Sequence, residues 1–368
     1  MRLKKEFLGE YLAAPKADWC GGNAGIFPGV CVKGDGTLAM LLVGGTAFES
    51  ADQRNVAYTC GADGLSWQMR GDLGEIRSNG HLFSYSAKPT ALKDGTLVAL
   101  GYGYERDEPD LSISGYCEKY GRFPKVRNYV QFSADGGVTY TPPQFIEHAY
   151  DGIEFSGPAL LLPDGRLLAF GPPFGIKPGE QQVGLCFEST DGGKSWREKS
   201  VFHRGGDVTC WECRGTLLPD GRIAVVSWAF DLKANQHLTN RIALSADGGA
   251  TWISIDTGLP GQASNLISLG GNMLGLVQAR REGDKPGVYL TALKVNGATL
   301  EAQDTIELYD AVGGANAKGN ITQQFYNLKF GQPALHRLAD GTMLLVFWRS
   351  PAQDKYEVVL QKLAVTLE

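Results

Sequence analysis

The sequence predicts an all-β fold, a six-bladed β-propeller of four-stranded antiparallel blades, and three observations carry that prediction. The 368 residues include 49 glycines, 17 prolines, 16 Phe, 14 Tyr and 7 Trp, a composition that favours tight turns between aromatic-rich strands over helices. One pattern recurs six times: an apolar run, a Gly-containing turn, and a second apolar run. After four of these hairpins comes a second turn signal, GADGLSW at 61–67, SADGGVTY at 133–140, STDGGKSW at 189–196 and SADGGATW at 245–252.

Taken in order, the hairpins are VCVKGDGTLAMLLVG around Gly36, TALKDGTLVALGYG around Gly95, LLLPDGRLLAFG around Gly165, TLLPDGRIAVVSW around Gly221, LISLGGNMLGLVQ around Gly271 and LHRLADGTMLLVFW around Gly341. These glycines stand about 61 residues apart on average, so six units take up nearly the whole chain as one domain, 1–368. In each hairpin Asp-Gly, or Gly-Gly in the fifth, is expected to supply the φ > 0 positions of a primed turn. In the second signal Asp63, Asp135, Asp191 and Asp247 are expected to hydrogen-bond the backbone of their own turns, while the closing aromatic plugs between sheets. The fifth unit has only a degenerate turn, KVNGATL at 294–300. The sixth has strands near 332–338, 341–349 and 356–365, so EFLGEYLA near the N-terminus is expected to be its fourth strand and to close the ring.

Composition limits the function classes. Lys and Arg number 35 against 40 Asp and Glu, a net charge of −5, without the basic surplus that a nucleic-acid partner asks for. No window approaches the roughly 20 apolar residues of a membrane span, so no membrane partner is expected. Seven cysteines, an odd number scattered from Cys20 to Cys213, do not form a disulfide framework and favour a reducing compartment. The sequence as it stands reads as cytoplasmic, and as periplasmic or secreted if a leader was removed. Cys210 and Cys213 have CxxC spacing, but no second CxxC or HxxxH completes a metal site, and they read as buried core cysteines. GxxxxGK[ST], GxSxG and HExxH are absent, and nothing calls for a metal or an organic cofactor.

With strands running from the axis outward, the Asp-Gly turns and the second turns must share one face. The long segments 102–127, 144–156, 203–212, 229–240 and 305–331 therefore lie on the other, where function usually sits. His81, His148, His203 and His237 fall in those loops, and His336 lies within the last inner strand. The sharpest element is CWECRGTLLPDGRI, 210–223. Glu212 and Arg214 start an innermost strand two residues apart, on the same side, beside the central funnel. A carboxylate there is either functional or one half of a structural ion pair with Arg214. Glu154, entering the inner strand of the third unit, is the second candidate, and the two would make an acid/base or nucleophile pair.

The four Asp boxes and the blade-phased turns resemble the sialidase (neuraminidase) superfamily, with its Asp-box (BNR) repeats, along most of the chain. GIFPGVCVKGDGTLAMLLVGG, the loop residues Ser50, Ala51, Asp52 and Gln53, and YTCGADGLSW are similar to that family's opening blade. The resemblance implies that Glu212 matches the glutamate assisting the family's tyrosine nucleophile, and that Asp52 lies near its acid/base aspartate. The departures are specific. Ile26 stands where the first arginine of the carboxylate-binding triad would be, Ser227 or Trp228 near the second, and Gln332 near the tyrosine; Arg280 or Arg281 would stand for the third arginine. The resemblance therefore implies a sialidase-like glycoside hydrolase cleaving a terminal sugar other than sialic acid. Asp52 or Glu154 would be its general acid and Glu212 its base or nucleophile. Arg106, Arg214, Arg280, Arg281, Arg349 and His237 would bind substrate, and Trp211, Tyr85 and Tyr104 would stack on a sugar. Two alternatives stay open: a polysaccharide lyase with His148 or His203 as base next to a uronate carboxylate, and a non-catalytic propeller that binds glycan or protein.

Overall fold

Four-stranded sheets with apolar residues on both faces must be covered on both sides, and a ring of six such sheets does this with each blade packed between two neighbours. The structure, a computed structural model, describes residues 1–15, 18–175, 179–311 and 328–368. Blade 1 is Ala24–Val32, Leu38–Gly45, Arg54–Cys60 and Gln68–Asp72; blade 2 is His81–Ala91, Leu97–Arg106, Val126–Ser133 and Gln144–Ile146, extended by Arg77–Ser78. Blade 3 is Leu160–Leu161, Leu167–Gly171, Val183–Ser189 and Arg197–Arg204, and blade 4 is Trp211–Leu217, Ile223–Trp228, Thr239–Ser245 and Ile253–Pro260. Blade 5 is Ser264–Gly270, Met273–Arg280, Gly287–Asn296 and Thr299–Asp310. Blade 6 joins Phe330–Arg337, Met343–Ala352 and Lys355–Leu367 to the N-terminal strand Leu3–Ala13, which pairs antiparallel with the last strand from Leu3 opposite Leu367 to Ala13 opposite Val358. The ring is closed by first and last strands in one sheet.

The second strands show why the apolar runs are continuous instead of alternating. Leu38–Gly45 is buried at every position because both of its faces meet another blade. Apolar clusters fill the joints: Met40, Leu42 and Tyr58 of blade 1 pack with Leu344, Val346 and Trp348 of blade 6, and Leu168 and Phe170 of blade 3 pack with Ile223 and Val225 of blade 4.

The five Asp-Gly hairpin turns differ in type from the sequence expectation, whereas in the fifth hairpin Gly270 and Gly271 both have positive φ, 102° and 54°, as expected. Gly36, Gly95, Gly165, Gly221 and Gly341 have φ between 81° and 91°, but the preceding aspartates are not in the left-handed region. Gly36 N–H donates to Lys33 O, and Lys33 N–H to Thr37 O, which is a type I turn closed by a glycine bulge and not a two-residue primed turn. Asp keeps ordinary backbone angles because its carboxylate accepts the N–H two residues on, as Asp35 does from Thr37 at 2.9 Å.

The second turns behave as expected. Asp191 accepts from Ser195 N–H at 3.0 Å and Ser195 Oγ at 2.6 Å, and Asp247 accepts from Ala250 N–H, Thr251 N–H and Thr251 Oγ1. The Trp67 and Trp196 indoles donate to Gly64 O and Gly193 O.

One element was not foreseen: Ile113–Tyr120 in the long blade 2 segment is an α-helix, with the Ser112 hydroxyl accepting from Gly115 N–H and Gly121 closing it at φ 65°. A Ser N-cap and a Gly stop with eight residues between them were legible as a helix. Among the described residues no helix is long and apolar enough to cross a membrane. Of the long segment 305–331, residues 312–327 lie outside the described residues.

Candidate active site

The inner strands of three blades share a distortion. Register slips between Ile26 and Gly29 in blade 1, between Trp211 and Arg214 in blade 4, and between Gly331 and Ala334 in blade 6. At each slip a non-glycine residue takes a left-handed conformation: Phe27 at φ 51°, Glu212 at φ 50° and Gln332 at φ 49°. Such backbone costs about 1–3 kcal/mol per residue and persists only where its surroundings hold it. A buried basic side chain holds each bulge. Lys88 Nζ donates to Phe27 O, Arg214 Nη1 to Glu212 O at 2.9 Å, and Arg281 Nε to Phe330 O, two residues before Gln332, at 3.0 Å.

These braces converge on two carboxylates. Glu154 Oε1 accepts the Glu212 backbone N–H at 3.3 Å, joining blade 3 to the bulge of blade 4. Glu212 Oε2 lies 3.0 Å from Arg214 Nη2, with 14% of the Glu212 side chain exposed and 4% of Arg214. Burial first, then the neighbouring Glu212 carboxylate, pushes Glu154 up to about 8, against the Glu212 N–H and Arg214, which pull it down. Glu154 is therefore a protonated acid at neutral pH beside a second carboxyl that is ion-paired, the separation of environments by which two like residues take different roles. Tyr102 and Tyr104 stand beside them. Burial, with the charges of Glu154 and, for Tyr102, Glu212, holds both phenols well above the usual range. Gly101 and Gly103 alternate with them because a Cβ at Gly101 would lie 2.0 Å from Ser86 O and one at Gly103 2.6 Å from the Phe83 ring.

Arg281 completes the wall. It is 3% exposed, lies 5.6 Å over the Trp228 ring, and is drawn down to about 10 by burial, with Glu212 opposing. Among the described residues Arg281 Nη1, Gln332 Oε1, Trp348 Nε1 and Ser156 Oγ are buried without a hydrogen-bond partner. Orphaned polar atoms are costly; Arg281 and Trp348 both approach the Gly331 backbone of the blade 6 slip, next to Gln332.

Several sequence candidates stand elsewhere. Tyr85 is buried between blades 1 and 2, and its hydroxyl donates to Gly74 O at 2.7 Å, so it cannot stack on a sugar. Arg106 is buried, and its guanidinium is spent on Glu49 O, Ser84 Oγ and Leu111 O; it fastens the rim. Arg280 projects away from the neighbouring Arg281, over Tyr289 at 4.3 Å and onto Gln278 Oε1, because successive strand residues face opposite sides. Arg349 pairs with Glu357 at 2.7 Å. Both histidines proposed as lyase bases are engaged. His148 Nδ1 accepts the Tyr150 N–H and Nε2 donates to Asn128 Oδ1, which leaves no lone pair, and His203 is buried on the outer strand of blade 3 with Nε2 donating to Val208 O at 2.9 Å. Asp52 accepts from Thr46 and Ser50 of its own loop and organises the rim. His237 stacks on Trp228 and Trp211 meets Trp228 edge-on, so both back the Arg281 wall.

Lys88 was missed by the sequence reading. Its signal was present, since AKPTAL puts a lysine inside an otherwise apolar inner strand. Burial, then Arg214, draws its amine well below the usual lysine range, with Glu212 opposing. Cys210 and Cys213 are buried, the Cys213 thiol donating to Cys210 O, and among the described residues no group of three or more His, Cys, Asp or Glu is placed to hold a metal ion.

A ring of six four-stranded blades is a sialidase-like β-propeller fold. A protein of unknown function from Dyadobacter fermentans superposes with a TM-score of 0.74 at 19% identity, over 98% of this chain and 99% of that one. A sialidase from Streptococcus pneumoniae gives 0.65 at 11% identity, over 98% and 70%. The α-L-arabinanase of Penicillium chrysogenum, solved with arabinobiose, gives 0.63 at 14%, over 98% of each chain. No protein-family model matches the sequence, and no curated protein matches it. At these identities the likeness establishes the fold.

Proposed function

We propose that the protein is a glycoside hydrolase that cleaves a terminal sugar bound in the central funnel. One observation carries the reading: a carboxylic acid held protonated to about pH 8, Glu154, touches the backbone of a second carboxylate, Glu212, that is fixed by Arg214. Glu154 donates its proton to the departing glycosidic oxygen, and Glu212 stabilises the positive charge at the anomeric carbon, either by attacking it or by drawing a proton from water. A sugar other than sialic acid is favoured because Ile26, fully buried in blade 1, supplies no guanidinium fork for a carboxylate. The engagement of His148 and His203 counts against elimination by a histidine base.

The test is product formation by wild type, Glu154→Gln and Glu212→Gln on fluorogenic sialosides, neutral aryl glycosides including arabinosides, and uronate oligosaccharides, with ultraviolet absorbance followed for unsaturated product. Turnover of a neutral glycoside that both substitutions abolish is the expected result. Sialoside turnover would overturn the substrate reading, unsaturated product would make the protein a lyase, and silence across the panel would make it a binding propeller.

A further inference from the structure

Beside the funnel, between blades 2 and 3 on the same face, lies a groove of about 550 Å³, within the roughly 300–1,000 Å³ range of small-molecule sites. None of the hydrolytic steps above uses it. One part of its wall, Phe123 and Phe174, packs on the tyrosines beside the active site: Phe174 meets Tyr102 at 5.3 Å, Tyr104 at 5.9 Å and Phe123 at 5.3 Å, and Phe123 meets Tyr104 at 6.3 Å. Phe123 is 41% exposed, an apolar ring left open at the lip of a concavity that also carries the exposed Arg122 and Asp151. The backbone ties this wall to the acid, for Glu154 N–H donates to Pro172 O and Phe174 N–H to Gly152 O.

We infer that this groove holds the leaving-group side of an oligosaccharide. The inference rests on Glu154 as general acid: a residue that protonates the glycosidic oxygen stands on the side of the bond where the leaving sugar lies, and the groove is joined to Glu154 through Phe174 and Tyr102. Ring faces of a sugar would stack on Phe123 and Phe174, and its hydroxyls would meet Arg122 and Asp151. The substrate class is then a glycan of two or more sugars beyond the terminal residue, not a simple glycoside.

The experiment compares kcat/KM for such an oligosaccharide with kcat/KM for the glycosyl fluoride of the same terminal sugar, whose leaving group is too small to enter the groove. Wild type, Phe123→Ala, Phe123→Trp and Arg122→Ser are measured. The ratio of oligosaccharide to fluoride is expected to fall about tenfold in Phe123→Ala, to fall less in Arg122→Ser, and to recover in Phe123→Trp. An unchanged ratio overturns the groove and leaves the hydrolytic reading intact. If wild type hydrolyses nothing, that reading falls, and binding to an array of neutral and acidic oligosaccharides decides the groove. Binding lost in Phe123→Ala supports a glycan site there, whereas binding equal in both proteins, or absent from both, overturns it.

Discussion

The two faces of the ring use the same functional group in opposite ways. On the turn face, side-chain and backbone donors from Ser195 and Ser189 outweigh burial and hold Asp191 at about 2. On the funnel face, burial and a neighbouring carboxylate raise Glu154 to about 8, with a single backbone N–H in return. A carboxylate given several donors becomes a structural fastening, and one denied them beside a like charge becomes a poised acid. The same contrast runs through the backbone. Left-handed residues in the Asp-Gly turns are glycines, which take that shape at little cost, whereas at the inner-strand slips they are Phe27, Glu212 and Gln332, each slip held by a buried basic side chain.

The sharpest break of the comparison is Glu212→Gln, expected to lower kcat at least about 10³-fold on whichever glycoside is turned over and to lower the melting temperature as well, because Arg214 loses its charged partner. Glu154→Gln is expected to cost about 10²–10⁴-fold and to remove the alkaline limb near pH 8 from the kcat/KM profile. Its stability effect has a definite sign. The folded protein holds the Glu154 proton to about pH 8 while the unfolded chain releases it near the ordinary value of 4.5, so wild type loses stability as pH rises between the two. Glu154→Gln should therefore melt higher than wild type at pH 9 and lose that advantage at pH 4, and equal shifts at both would show that Glu154 is not held protonated.

Lys88→Met keeps the aliphatic stem over Gly29 but removes the donor to Phe27 O, and should cost about tenfold or less in kcat/KM. An undiminished rate would separate the blade 1 bulge from the site. The smallest functional effect is on the other face. Asp191→Ala should lower stability by about 1 kcal/mol and leave kcat unchanged. Because the Asp191 carboxyl is held low, its contribution is complete above the ordinary aspartate range and disappears as pH falls through about 2.

The fold was largely legible because its signals are local. An apolar run, a Gly turn and an Asp-anchored second turn need only a dozen residues to declare themselves, and six repeats fix a ring. The helix Ile113–Tyr120 carries local signals too, the Ser112 cap and the Gly121 stop. The primed-turn expectation failed at the level of one dihedral angle, where Asp35 and its counterparts use side-chain bonding instead of positive φ.

The site divides along the same line. Sequence by itself determined the repeat, the order of strands, the closure by Leu3–Ala13 and the placing of Glu212 and Arg214 at the start of an inner strand, because strand periodicity and turn chemistry act between near neighbours. The tertiary structure alone decided that Glu154 touches Glu212 across 58 positions, that Lys88 reaches a bulge across 61, that Arg281 faces the axis while Arg280 does not, and that Tyr85, Arg106 and His148 are already occupied. Proximity across blades, and the burial that sets a protonation state, depend on how the ring closes, a property of all six blades that no local stretch of sequence contains.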